Sequence, residues 1–334
     1  MLNMFNVKMI FVMLIFALAV IACKNDKKTA EQTEPETKPQ QSVKIPAFNG
    51  DSAYVFVEKQ LSFGTRVPGT PTHLATQKWL VEKLRSYGAE VSLQPFKAKI
   101  YTGAVWDAAN IIAKINPDNK KRVIIAAHYD TRFIAEKDPD PAKQNKPIMG
   151  ADDGASGVAV ILELARILHE NPIDLGIDLI LFDAEDNGDN NSDNSWCLGA
   201  QHWSREVVKS NYKAEWGILL DLVGAKGARF PKEYFSQQYA KELHDKVWDL
   251  AIGMGYGDLF ENIARGVVND DHYHVNTIAK IPMIDIINIP NENGSFGHYH
   301  HTHLDDIGII DKNVLRKTGQ VVIAVLYRTS DGSF

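Results

Sequence analysis

Five short stretches of this chain gather the residue types that metal and acid–base chemistry need. They are His128-Tyr129-Asp130, the Asp152-Asp153 pair inside GADDGASG, Asp183-Ala184-Glu185-Asp186, Asp221 inside LDLVG, and the run HHTHLDD from His300 to Asp306. Histidine and carboxylate clusters without cysteine suit a catalytic Zn2+, which keeps one position open for water or substrate. The Asp pair is odd by itself. Two adjacent carboxylates repel, and the Gly and Ser around them are poor helix formers, yet the apolar segment VAVILELARIL follows at once. A cation would neutralise one Asp, while the other caps the following helix or accepts neighbouring backbone N–H groups.

Such clusters act together only if the fold brings them together. RVIIAAHYD, IDLILFDAED, EWGILLDLVG and IPMIDIIN are short runs that are apolar almost throughout. Between and around them lie segments of helical pattern: PTHLATQKWLVEKLRSYG with Gly88 as a stop, ASGVAVILELARILHE ended by Asn171-Pro172, YAKELHDKVWDLAIGMG, and NVLRKTGQVVIAVLYRT. This alternation predicts an α/β fold: a single domain with a mostly parallel, twisted central sheet and helices on both faces. EVSLQPFKAKI and NIIAKI, before Val123, are expected to add antiparallel edge strands. In sheets of this kind ligands bind beyond the carboxyl ends of the strands. Each cluster follows such an end or lies in a loop past it, so the five are expected to converge.

The 334 residues carry a formal charge of −6 and are 45% hydrophobic. No basic footprint exists, which excludes nucleic acid as a partner. The amino terminus has Lys8, an apolar run from Met9 to Ala22, and then Cys23. That is a secretory pattern, and Val20-Ile21-Ala22-Cys23 resembles the lipobox of bacterial lipoproteins. The resemblance implies a signal peptide over 1–22, lipid on Cys23, and an exported protein tethered to a membrane, facing the periplasm or the cell surface; an uncleaved signal anchor is the alternative. Residues 23–46, rich in charge, Pro, Gln and Thr, read as a flexible tether. Residues 47–334 read as the catalytic domain. With Cys23 lipidated, Cys197 has no disulfide partner and reads as a buried apolar filler.

Taken in order, HYD, GADDGASG, DAED, LDLVG, DDHY and HHTHLDD resemble the zinc aminopeptidase superfamily. Within it, FGTRVPGT (63–70), SWCLGAQHW (195–203) and LDLVGAKGARF (220–230) resemble the bacterial glutaminyl cyclases related to the animal enzymes. The resemblance implies one zinc per chain held by Asp153, Asp186 and His301. It makes Glu185 the proton shuttle and places Asp221 and Asp271 in a hydrogen-bonded network at the substrate amine. The implied reaction converts N-terminal glutaminyl residues of peptides and proteins to pyroglutamate with release of ammonia. Three departures from the animal pattern bear on the pocket: Asp186 replaces Glu, His300 replaces Trp, and a Trp-bearing insertion is missing. Trp196 and His300 are therefore expected against the substrate, with Trp106 a further pocket candidate.

Other residues take plainer readings. His303 could ligate, but the spacing H-T-x-x-D ending at Asp305 favours His301. Asp305 supports the site or starts a helix, and Asp183 is a structural acid. Trp79, Trp203, Trp216 and Trp248 belong to the core, while His73, His169 and His244 are expected to face solvent.

Two other functions share this inventory. A two-metal zinc aminopeptidase would use His128, Asp153, Asp186, Asp221 and His301 as ligands, with Glu185 activating a water. A peptide-binding lipoprotein without turnover would leave the intact base and donors unused.

Overall fold

Residues 44–334 are described by the computed structural model. The chain opens with α1 (Gly50–Leu61), whose first turn is capped by Asn49 accepting from the backbone N–H groups of Asp51 and Ser52. α2 (Pro71–Ser86) starts on Thr70 with proline in its first turn. β1 (Glu90–Lys99) and β2 (Val105–Ile115) form an antiparallel pair. There follow β3 (Arg122–His128), α3 (Ala155–Glu170), β4 (Gly176–Phe182), α4 (Leu198–Val208) and β5 (Gly217–Asp221). The last third holds β6 (Phe230–Lys232), α5 (Tyr234–Tyr239), α6 (Lys241–Gly253), β7 (Phe260–Ala264), α7 (Asp271–His274), β8 (Met283–Ile287) and α8 (Lys312–Asp331).

The main sheet has the order β1-β2-β4-β3-β5-β8. β4, β3, β5 and β8 run parallel, and β2 joins β4 antiparallel, so the two early strands do form the antiparallel edge. Every residue of β3 and β4 is buried, as expected of strands covered on both faces. Their side chains alternate between two cores. Val123, Ile125 and Ala127 join the layer with α1, α3 and α8, whereas Ile124 and Ala126 meet Cys197, Ala200 and Trp203 beside α4.

The small residues around Asp152-Asp153 now have a reason. Gly154 has φ +87°, and a Cβ there would meet His128 Cε1 at 2.9 Å. A Cβ on Gly157 would sit 2.2 Å from the Leu220 carbonyl oxygen, so α3 lies directly against the end of β5. The outer edge of β8 is closed by side chains. Asn276 donates from Nδ2 to the Met283 carbonyl (2.7 Å) and accepts from the Met283 N–H (3.0 Å), and the Asp285 N–H donates to Ser236 Oγ (2.9 Å).

Some expectations change. The segment YAKELHDKVWDLAIGMG breaks at Ala240, where α5 ends and α6 begins. β6 and β7 pair into a small separate ribbon too short to show a period. Trp203 and Trp248 are core, and Trp79 and Trp216 pack against it half-buried. His169 is exposed as expected, but His73 and His244 are fully buried. His73 Nε2 lies 3.0 Å from Asp183 Oδ1, and His244 meets the Trp248 ring edge-on with centroids 4.1 Å apart. Among the described residues no helix is long and apolar enough to cross a membrane; Cys23 and the expected signal and most of the tether lie outside them.

Candidate active site

The ends of β3, β4 and β5 deliver His128, the Asp183–Asp186 run and Asp221 to one edge of the sheet. The loop before α3 adds Asp153, and the loop after β8 adds His300 and His301. They meet around a cavity of about 290 Å3 whose lining includes Asp153, Glu185, Asp186, Trp196, Asp221, Asp270, His300 and His301.

Asp153 stands at the centre. Its Oδ1 is 3.1 Å from His128 Nε2, and its Oδ2 is 3.8 Å from Nε2 of both His300 and His301. Asp186 Oδ1 is 3.0 Å from His301 Nε2, while its buried Oδ2 has no partner. The three histidines of HHTH are separated by their other contacts. His301 Nδ1 lies 2.7 Å from Glu136 Oε1. Despite burial, His301 and Arg132 hold Glu136 down to about 2, so its carboxylate takes the Nδ1–H and leaves Nε2 facing Asp153 and Asp186. His300 Nδ1 accepts from Lys137 Nζ at 2.7 Å, which places its proton on Nε2. His303 Nδ1 lies 2.8 Å from Asp138 Oδ2, away from the cavity. Asp153, Asp186 and His301 thus present nitrogen and oxygen donors, with an orphaned carboxylate oxygen among them, and that set suits Zn2+.

Buried acids hold the loops that carry these donors. Asp305 accepts from the N–H groups of Asp152 (2.7 Å) and Asp153 (3.1 Å). Asp130 accepts from the N–H groups of Glu185 (3.0 Å) and Asp186 (3.3 Å). Arg66, fully buried, donates to the carbonyls of Tyr129, Met149 and Gly150. Asp152 turns away from the cavity. It accepts from the Gly224 N–H (2.6 Å) and the Tyr299 hydroxyl (2.5 Å), and no side chain caps α3. Of the two roles expected for it, the backbone contact is the one formed.

The acid–base residues lie beside the donors. Burial pushes the Glu185 carboxyl well above the usual range, and the charges of Asp270, Asp186 and Asp271 add to this against the pull of His128. Burial likewise pushes Asp221 up to about 8, although His128 Nε2 is 3.3 Å from its Oδ1. Asp271 is placed differently from expectation. It is fully enclosed, both its oxygens lack partners, and no hydrogen bond joins it to Asp221. Its neighbour Asp270 faces the cavity and caps α7. Two adjacent acids offered no pattern to choose between them.

Trp196 lines the cavity with its ring stacked beside His301 (6.2 Å, 20°) and the Arg132 guanidinium over it at 4.8 Å. Trp106 does not line the cavity; it packs edge-on against Phe133. Cys197 is buried as expected but is not a mere filler, since its Sγ lies 3.3 Å from Glu185 Oε1. Four non-glycine residues with left-handed backbone, Ala184, Cys197, Leu222 and His301, belong to or adjoin this site, where strain of this kind is held in place by surrounding contacts. Glu136, Arg132 and Lys137 gave no sequence signal, because the long segment between β3 and α3 has no period to read.

The profile of peptidase family M28 matches residues 110–326, a span that includes every cavity-lining residue named above. The chain belongs to peptidase family M28. A solved glutaminyl cyclase of Porphyromonas gingivalis is 47% identical with a TM-score of 0.82, the match covering 85% of this chain and 99% of that one. A solved Zn-dependent exopeptidase of Parabacteroides distasonis is 43% identical with a TM-score of 0.82 and the same coverage. The glutaminyl-peptide cyclotransferase of Gloydius blomhoffii is 24% identical over 289 residues, 77% of this chain and 75% of that protein. Membership of M28 and the likeness to a Zn-dependent exopeptidase suggest zinc.

Proposed function

We propose that this M28 member is a glutaminyl-peptide cyclotransferase, closing N-terminal glutaminyl residues of peptides and proteins to pyroglutamate, with one zinc per chain on Asp153, Asp186 and His301. The likeness to the Porphyromonas gingivalis cyclase over nearly all of that enzyme carries the reading.

The reaction forms a bond from the α-amine nitrogen to the γ-carbon and breaks the γ-carbon bond to the amide nitrogen, which leaves as ammonia. Bound zinc supplies Lewis-acid polarisation of the γ-carbonyl. Glu185 takes a proton from the attacking amine and returns it to the departing nitrogen, a double duty suited to a carboxyl whose proton affinity burial has raised. Asp221 accepts a hydrogen bond from the amine and orients it, with Asp270 on the same wall in the place expected for Asp271. Trp196 gives the glutaminyl side chain a flat apolar surface. The attack is intramolecular, so holding the substrate in a bent conformation supplies much of the rate. Export and anchoring through lipid on Cys23 are part of this reading and rest on the N-terminal pattern alone.

One observation favours a second reading. His128, Asp153 and Asp221 offer donor atoms within 4.8 Å of one another, a possible second metal position of the kind a two-metal aminopeptidase needs. Metal counting with product analysis separates the two. The cyclase binds one zinc tightly, releases ammonia from Gln-leading peptides, and leaves Leu-leading peptides untouched. Two tightly bound zinc ions together with release of free leucine would overturn it.

A further inference from the structure

We propose that Glu185, Cys197 and Asp270 form a separate cation site, selective for thiophilic divalent ions such as Cd2+, whose occupation stops the enzyme. This goes beyond the proposed reaction and does not depend on which reaction the enzyme catalyses.

Cys197 Sγ and one carboxylate oxygen from each of Glu185 and Asp270 lie within 4.8 Å of one another. The three residues are 0%, 9% and 3% exposed. Asp270 spends one oxygen on the Asp271 N–H, and its other oxygen is buried with no donor, while the Asp285 carboxylate stands within reach of the same side chain. A buried acceptor in that condition calls for a proton or a cation. Glu185 and Asp270 line the cavity, so an ion arriving from solvent reaches them first, with Cys197 behind them.

The thiol is aimed by its backbone. Cys197 has φ +55°, its N–H donates to the Glu185 carbonyl (2.9 Å), and the Leu198 N–H donates to the Ala184 carbonyl (3.1 Å). These two bonds tie the turn to the strand end and set Sγ 3.3 Å from Glu185 Oε1. The donor set is one sulfur and two oxygens, whereas the Asp153, Asp186 and His301 set holds no sulfur. Thiolate favours soft ions, and carboxylates alone would not discriminate in this way. Binding releases the thiol proton, and any carboxyl proton, to solvent. Coordination to the ion lowers the basicity of Glu185, so it no longer takes up a substrate proton.

The test titrates Cd2+ into the zinc-loaded full-length enzyme while zinc, cadmium, ultraviolet absorption and turnover are followed together. One cadmium should bind per chain with the zinc retained, a thiolate-to-cadmium charge-transfer band should grow, and turnover should fall in step. Cys197→Ala should abolish the band and raise the inhibitory cadmium concentration about tenfold or more relative to its own untreated rate. Cys197→Ser carries the same comparison if the alanine variant does not fold. The proposal is overturned if wild type shows no charge-transfer band, if inhibition tracks loss of zinc, or if the Cys197 variants are inhibited at the wild-type concentration. Band and metal count are read without any substrate, so they stand even if the cyclase reading fails.

Discussion

Glu136 sits directly behind His301, its Oε1 2.7 Å from Nδ1, and Arg132 Nε grips the same carboxylate at 2.6 Å. That contact chooses the tautomer of His301 and turns Nε2 toward Asp153 and Asp186. It distinguishes His301 from two histidines within two residues of it.

Zinc retention should follow this contact. His301→Ala, Asp153→Ala and Asp186→Ala should each lose bound zinc and activity, whereas His303→Ala keeps both. Glu136→Gln should fold normally and weaken zinc by about 10- to 100-fold, the usual effect of removing a carboxylate behind a ligating histidine. Competition with a chelator measures each. Loss of metal in His303→Ala with retention in His301→Ala would place the ligand two residues later.

Glu185→Gln keeps the shape of the side chain and removes its proton-carrying ability. Zinc and substrate binding should persist while kcat falls by about 100-fold or more, the scale of general acid–base catalysis. Single-turnover kinetics on a Gln-leading peptide gives the chemical step, and an unchanged rate would exclude Glu185 as the carrier.

Two buried histidines should each contribute an acid-dependent loss of stability above the usual carboxylate range, opposed by the raised carboxyls of Glu185 and Asp221. Burial pulls His244 down to about 3 and His274 down to about 4, from 6.5 when unburied. As pH falls below 6.5, these two side chains take up protons in the unfolded chain and refuse them in the folded one, so their contribution to stability drops until the folded values are reached. Each histidine contributes about 1.4 kcal/mol per pH unit inside its window. Urea unfolding should show the stability difference between His244→Asn and wild type shifting in favour of the variant as pH falls below 6.5; a difference that stays constant would refute the assignment.

Cys23→Ser removes the thiol expected to carry lipid. In the producing cell this variant should stop partitioning with membranes or remain as uncleaved precursor. Membrane association of a cleaved, unlipidated chain would put the anchor elsewhere.

Much of this site could be read before the fold was known, for a specific reason. A strand buried on both faces is apolar for most of its length, so the polar residue that ends the apolar run marks its end: His128 closes β3, Asp183 follows β4 beyond the Arg122-paired Asp178, and Asp221 closes β5. Parallel strands put those ends on one edge. What stayed hidden lay where no period operates. Glu136 and Lys137 come from the irregular stretch between β3 and α3, and Asp270 differs from Asp271 only in which way each faces. His73 and His244 sit on helices whose buried side a single histidine does not reveal. The Cys197 contact depends on a left-handed turn that an apolar neighbourhood conceals.

The side-chain closure of β8 bears on how these molecules tolerate crowding. An unpaired strand edge is a template for another chain, and sheets fuse through such edges into aggregates. At β8 the Met283 N–H and carbonyl and the Asp285 N–H, which would recruit a neighbour, are already taken by Asn276 and Ser236. β1, paired on one side only, carries Pro95, which has no N–H to donate, and the exposed Lys97 and Lys99. Both ends of the sheet therefore resist self-association, one by occupancy and the other by charge and a missing donor. Asn276→Ala would reopen the β8 end, so its cost is expected as turbidity at high protein concentration, ahead of any loss of turnover.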